Sequence, residues 1–410
     1  MKKYLILLLI TIAFISCGKE TLKDQSKVSK PQESILMIED DGAFLKKAIP
    51  IIKGKKVSEM ELIQIAERTL KITISTDESN YNIAKKYLSE CPNKFFSAMS
   101  LNSVVWENRE NEKLFKKTNE LINIANNFTY TKGFADSGLS YFDSRGYAPE
   151  EKNEALSAYR GMIRDTYAVY LVKQGKIEEA IKTYETVLKE YEETGILLNY
   201  ATLLNKMNRY KEALEATITA LRATTGSEEV KDSLRVYAKN LAYSETEINA
   251  IIDEAIQGGR SELKEELLAD KLDIPMPSFE LLSLNGRLVN SKEFIGKILI
   301  VDFWATWCAP CIKEFPHLNE LLKKYASDDD IRIIAISTDQ DREKVAPFIE
   351  ENNYQMSIFY NDNTSKAFGV NGIPTLFVVD KKGIIRYKKV GFTEGEEFVK
   401  IMGWYIDSLK

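Results

Sequence analysis

A single histidine, His317, in 410 residues leaves nothing for a multi-histidine metal site. Four cysteines are far too few to staple a disulfide-built fold. A basic excess is missing as well: the net charge is −5, whereas a nucleic-acid partner calls for a basic face. The apolar run at the N-terminus, residues 4–15, is too short to span a bilayer stably. What remains is the make-up of an ordinary soluble chain, long enough for two or three domains with real cores.

That short apolar run has the layout of a secretion signal, with Lys2 and Lys3 before it and Ser16-Cys17-Gly18 after it. A small residue, then cysteine, then glycine resembles the bacterial lipobox, with Phe14 where leucine is usual. The resemblance implies a signal peptide over 1–16, lipidation of Cys17 and a membrane held by lipid anchor. Each buried methylene of such an anchor adds about 0.8 kcal/mol. Residues 17–34, polar and containing Pro31, then read as a tether.

Residues 35–150 carry helical periodicity without a legible chemistry. Phe95, Phe96 and Trp106 are aromatic enough for a binding surface, but core packing is the expected use. Cys91, before Pro92, has no partner nearby in sequence and is expected to act as a small core hydrophobe.

Residues 151–272 repeat. Gly175-Lys176-Ile177-Glu178-Glu179-Ala180-Ile181 recurs as Asn208-Arg209-Tyr210-Lys211-Glu212-Ala213-Leu214, 33 residues on. Small residues at Ala180 and Ala213 let helices cross closely. The pattern resembles the tetratricopeptide helix pair, in which each unit buries its apolar face only against its neighbours. A protein- or peptide-binding groove and a plain spacer or dimer surface fit this region equally.

Ile274-Pro275-Met276-Pro277 ends the helical pattern, because two prolines remove donors and force extended backbone. From residue 273 to 410 strands and helices alternate, beginning with a hairpin over Asn285-Gly286. A buried strand, residues 298–304, leads into Trp307-Cys308-Ala309-Pro310-Cys311, with a helix-forming run behind it. Some sixty residues later stands Gly372-Ile373-Pro374-Thr375. A bare CxxC is weak evidence, but strand, CxxC at a helix start and a distant Ile-Pro-Thr together suit thiol–disulfide exchange.

With these motifs the segment 274–410 resembles the thioredoxin superfamily, and within it the extracytoplasmic, membrane-tethered reductases of the TlpA/ResA type. The resemblance implies a mixed sheet of about five strands with helices on both faces, following an all-α repeat region. It makes Cys308 the nucleophile, favoured as thiolate at a helix N-terminus. Cys311 becomes the resolving thiol and Cys308–Cys311 the redox-active disulfide. Asp302, six residues before the nucleophile, is the expected buried proton acceptor for Cys311. Glu314, in a Cys-x-x-Cys-x-x-Glu-x-Pro run ending at Pro316, is expected to tune a thiol's pKa or shape the groove rather than sit solvated. Pro374 matches the superfamily's cis proline; Trp307, Ile373, Pro374 and Thr375 would contact the substrate, while Trp304 packs.

Competing chemistries lack their residues. Zinc needs two more ligands, and covalent haem needs histidine where Ile312 stands. A peroxiredoxin would carry threonine at Ala305. The expectation is therefore an enzyme without metal or cofactor, a lipid-anchored protein-disulfide reductase facing the periplasm in the cell envelope. It would act on exported proteins and take electrons from a membrane donor. The alternatives are an assembly scaffold working through its helical repeats, or the oxidase or isomerase direction of the same chemistry.

Overall fold

The computed structural model describes residues 34–54, 57–224, 226–392 and 396–410. Cys17, the signal and nearly all of the tether lie outside the described residues. The chain divides into two compact units between Gly259 and Arg260.

The first unit is helical. Its elements are α1 (Asp41–Gly54), α2 (Glu59–Thr73), α3 (Glu78–Glu90), α4 (Lys94–Glu107), α5 (Phe115–Phe128), α6 (Lys132–Ser144), α7 (Pro149–Lys173), α8 (Ile177–Glu190), α9 (Thr194–Lys206), α10 (Tyr210–Thr224) and α11 (Glu228–Asn240). The helix α12 (Glu245–Ala269) starts here and contributes its residues from Arg260 onward to the second unit. Side chains before several helices satisfy amides that the first turn leaves unbonded. Asp77 accepts from Asn80 N at 3.0 Å, and Asn93 accepts from Phe96 N at 3.1 Å. Phe95 packs among the rings of Phe96, Phe134, Tyr141, Phe142 and Tyr159, in a core that also buries Cys91.

A second core runs from α7 to α12, and Ala180 and Ala213 are fully buried in it. The repeat seen in sequence has a backbone counterpart. Gly175 and Asn208 both take left-handed backbone, with φ of 76° and 59°. In each turn the next amide reaches five residues back: Lys176 N to Leu171 O and Arg209 N to Leu204 O, both 2.9 Å. The same turn occurs a third time, with Ala242 at φ 62° and Tyr243 N bonded to Ala238 O at 3.1 Å. Neither glycine nor asparagine marks that third turn, which is why sequence pattern passes over it.

The second unit contains β1 (Ile274–Pro275), β2 (Glu280–Leu282), β3 (Leu288–Asn290), β4 (Ile298–Trp304), α13 (Ala309–Lys324), β5 (Ile331–Ser337), α14 (Val345–Glu351), β6 (Ser357–Tyr360), α15 (Thr364–Ala367), β7 (Thr375–Val379), β8 (Ile384–Val390) and α16 (Glu396–Asp407). Six strands form one mixed sheet in the order β1-β8-β7-β4-β5-β6. The strands β4, β5 and β6 run parallel, and the pairs β4–β7, β7–β8 and β8–β1 are antiparallel. The strand beyond the expected five is β1, where Pro275 sits on the edge and its missing N–H costs no ladder bond.

All seven residues of the central β4 are buried, so it reads as a continuous apolar run interrupted by Asp302. One sheet face packs on α13, α14, α16 and the end of α12 through Phe315, Leu318, Val345, Phe398, Met402 and Leu267. The other face carries the β2–β3 hairpin and Phe368, just after the single turn α15. Leu284 N donates to Ile358 O at 3.2 Å, tying that hairpin to β6 and covering the sheet edge.

Candidate active site

The dithiol segment is clamped before it begins. The carbonyl of Trp304, the last residue of β4, accepts from both Thr338 N at 2.8 Å and Thr338 Oγ1 at 2.9 Å. Thr306 donates to the Asp339 carboxylate through its amide at 2.9 Å and its hydroxyl at 2.6 Å. Ser337 Oγ donates to the same carboxylate at 2.7 Å. The loop leaving β4 is thus held by the loop leaving its parallel neighbour β5. None of these anchors was singled out from sequence, because Asp339 lies 33 residues from Thr306 and only the β4–β5 register brings them together.

Cys308 caps α13, and the Cys311 amide donates to Cys308 Sγ at 3.3 Å. Pro310 stands in the first helical turn, where a missing N–H removes no helical bond. Cys308 and Cys311 are joined in a disulfide with S–S 2.01 Å and Cα–Cα 5.3 Å. Both sulfur-bearing residues are nearly closed to solvent, with Cys308 4% exposed, yet Trp307 beside them is 71% exposed. Trp304, by contrast, is buried against Phe315 and Phe348.

The Ile373–Pro374 peptide is cis. Thr375 pairs with Phe303 on one side and Val390 on the other, which sets Pro374 at the same sheet end as the close of β4. Gly391 N donates to Pro374 O at 2.9 Å, and Thr375 Oγ1 donates to Gly372 O at 2.6 Å. Thr375 is buried and Ile373 half-buried.

Under the dithiol lie three ionisable side chains. In the sheet, Asp302 pairs with Leu376 and Leu376 with Lys389, so Asp302, Leu376 and Lys389 point to one face in a row across β4, β7 and β8. Glu314 comes down on this row from α13, one turn beyond Cys311 on the same helix face. Asp302 and Glu314 are each 1% exposed and Lys389 2%. Lys389 Nζ lies 3.2 Å from Glu314 Oε2 and also donates to the Gly391 carbonyl. Asp302 Oδ1 and Glu314 Oε1 are buried without a hydrogen-bond partner.

Burial pushes the Asp302 carboxyl well above the ordinary carboxylate range; the Glu314 charge adds to the rise, and Lys389 opposes it. Burial also raises Glu314, while Lys389 pulls it back down by charge and hydrogen bond. Lys389 escaped sequence reading. Its signal was period two: it stands two residues after the buried Tyr387 on the same strand face.

One further candidate belongs to the other unit. Cys91 lies in the helical unit, buried and free, with Sγ 3.5 Å from Glu59 Oε1. Among the described residues no group of three histidine, cysteine or acidic side chains is placed to hold a metal. Nor is any described helix long and apolar enough to cross a membrane.

Residues 273–388 match the AhpC/TSA family. Over 109 residues the chain is 36% identical to the thiol-disulfide oxidoreductase ResA of Bacillus thuringiensis subsp. konkukian, a span of 26% of this chain and 62% of that protein. Over 136 residues it is 32% identical to ResA of Geobacillus thermodenitrificans, covering 33% of this chain and 75% of the relative. The thiol:disulfide interchange protein DsbE of Vibrio cholerae is 35% identical over 121 residues, or 28% of this chain and 63% of that one.

Proposed function

Because the chain belongs, by its C-terminal domain, to the family of the ResA and DsbE thiol–disulfide oxidoreductases, we propose that it reduces disulfides in exported proteins through Cys308 and Cys311. One observation carries this reading: a closed disulfide at the N-terminus of α13, placed over a buried acid row and beside an exposed tryptophan.

In the reducing direction the Cys308 thiolate attacks one sulfur of a substrate disulfide, and the other substrate sulfur leaves as thiolate. Cys311 gives its proton to the Asp302 carboxylate and attacks Cys308 Sγ, which expels the second substrate thiolate. Two electrons pass to the substrate, its thiolates take protons from water, and the Cys308–Cys311 disulfide remains with Asp302 protonated. A membrane-bound dithiol donor returns the electrons. Trp307 rims the site, and the backbone of Ile373 pairs with an extended substrate strand beside Pro374 and Thr375. Glu314 sets the charge beneath the resolving thiol. The dipeptide Ala309-Pro310 supplies no cation to stabilise a thiolate, which favours an electron-donating dithiol.

The test is equilibration of the Cys308–Cys311 couple with dithiothreitol and glutathione. A potential near or below about −270 mV is expected; one near about −120 mV would reverse the direction. The envelope location rests on Cys17 and is tested by labelled palmitate, whose incorporation a Cys17→Ser variant should abolish.

A second reading is favoured by the turn that recurs at Gly175, Asn208 and Ala242: a tetratricopeptide-like array that docks a protein or peptide. Cys308→Ser separates the two. Lost exchange with partner binding retained favours the enzyme, and intact cellular function favours the scaffold.

A further inference from the structure

Among the described residues, two buried carboxyls and one buried ammonium lie beneath the dithiol, and Glu314 is the carboxyl paired with the ammonium. Strand spacing explains the arrangement. Lys389 and Asp302 are two strands apart, about 10 Å between backbones, and Glu314 descends from α13 to meet the lysine first. Three such groups leave water most cheaply as one ion pair plus one neutral acid, since an uncompensated buried charge is the costly state.

We propose that Lys389 is a positioning residue for the exchange chemistry: by ion-pairing Glu314 it keeps that carboxyl ionised, and so assigns the proton of the disulfide form to Asp302. The proposal rests on the exchange reading above and extends it to Lys389 on β8, which bonds Glu314 and the Gly391 carbonyl. Lys389 acts from the sheet side, with its Nζ 5.3 Å from the Phe398 ring centroid, which keeps water off the pair. Among the other titratable or charged groups on the elements packed at this face are His317 on α13, Glu397, Lys400 and the buried Tyr405 on α16, and the buried Tyr387 beside Lys389 on β8. Burial raises both carboxyls, but Asp302, raised further by the Glu314 charge, is the one pushed well above the usual range, while the Lys389 charge and hydrogen bond hold Glu314 back.

The consequence is a charge-rescue pattern. In Glu314→Gln the lysine has only Asp302 left to neutralise it, so Asp302 ionises more readily. In Glu314→Gln/Lys389→Met both charges are gone, and Asp302 holds its proton again. A purely structural lysine would give no such reversal.

The experiment is a pH titration of the full chain in its disulfide form, with aspartate and glutamate carboxyls carbon-13 labelled and read by NMR. Asp302→Asn and Glu314→Gln assign the two signals. Glu314→Gln should lower the Asp302 midpoint by roughly one pH unit or more, a tenfold loss of proton affinity. The double variant should return it to the original value or above, and Lys389→Met alone should raise the Glu314 midpoint by a similar amount. Should Lys389→Met not fold, the comparison of Glu314→Gln with the charge-free double variant decides the matter. An Asp302 midpoint that ignores Glu314→Gln, or stays low in the double variant, overturns the assignment. The pH profile of disulfide reduction in the same variants should move with the Asp302 midpoint. If the titrations reverse as stated while that profile stays fixed, the ion pair places the proton but Lys389 does not position the exchange step, which overturns the proposal; the exchange reading itself is tested separately by loss of exchange in Cys308→Ser.

Discussion

Lys389 Nζ and Glu314 Oε2 lie 3.2 Å apart with both side chains almost wholly buried, so neither charge has water to fall back on. Removing one partner strands the other in the core. Lys389→Met is therefore expected to cost about 3–5 kcal/mol of unfolding free energy. The neutral pair Glu314→Gln/Lys389→Met should recover most of it, since replacing both charges removes the desolvation penalty along with the attraction. Urea denaturation of the two variants checks this; a double variant as weak as the single one would contradict it.

Asp302 should make the protein less stable as pH rises. Its folded pKa is raised, chiefly by burial, above the unfolded value of about 3.9. Between those two values the native state holds a proton that the unfolded chain has lost. Stability is then full below about pH 4 and declines through the window up to the folded pKa. Asp302→Asn has no such proton and should be more stable than the parent at pH 7, with the gap closing toward pH 4. Melting temperatures at the two pH values measure it. A variant that gains nothing at pH 7 would mean that the acid is not destabilised by its burial.

The Asp339 carboxylate accepts from Thr306 N, Thr306 Oγ1 and Ser337 Oγ, and through Thr306 it fixes the loop two residues before Cys308. Hydrogen bonds to a charged group contribute about 1.5–3 kcal/mol each. Asp339→Ala should accelerate amide exchange at Thr306 and slow disulfide exchange with substrate, leaving the Cys308–Cys311 bond able to form. Hydrogen exchange by mass spectrometry reads the first, and a turbidity assay of insulin reduction the second. Unchanged protection at Thr306 would show that the clamp does not order the loop.

The dithiol, the helix behind it and the Asn285-Gly286 hairpin were legible because each is written in neighbouring residues: a spacing, a proline, a turn dipeptide. The acid row was half legible. Asp302 announces itself as a carboxyl inside an apolar strand, but Lys389 looks like one more charge in Arg386-Tyr387-Lys388-Lys389. Its burial depends on β8 pairing with β7 and on α16 closing over that face, and both are long-range facts. The Thr306–Asp339 clamp was illegible for the same reason. In the helical unit the first two turns show themselves through Gly175 and Asn208, whereas the third sits on an alanine that carries no turn signal.

That alanine makes a clean test of the third turn. Ala242 holds φ 62°, a left-handed backbone in which its Cβ crowds the following carbonyl. The conformation costs an L-residue about 1–2 kcal/mol. Glycine removes the clash but adds freedom to the unfolded chain, a loss of about 0.4–1 kcal/mol. The balance favours Ala242→Gly by roughly 0.5–1 kcal/mol, while Gly175→Ala, at φ 76°, should lose a similar amount by the reverse argument. Hydrogen exchange across α11 and α12 should show the gain locally, with no change in the redox unit's activity. If Ala242→Gly instead destabilises those helices, the turn does not hold its left-handed residue in solution, and the third turn differs from the first two.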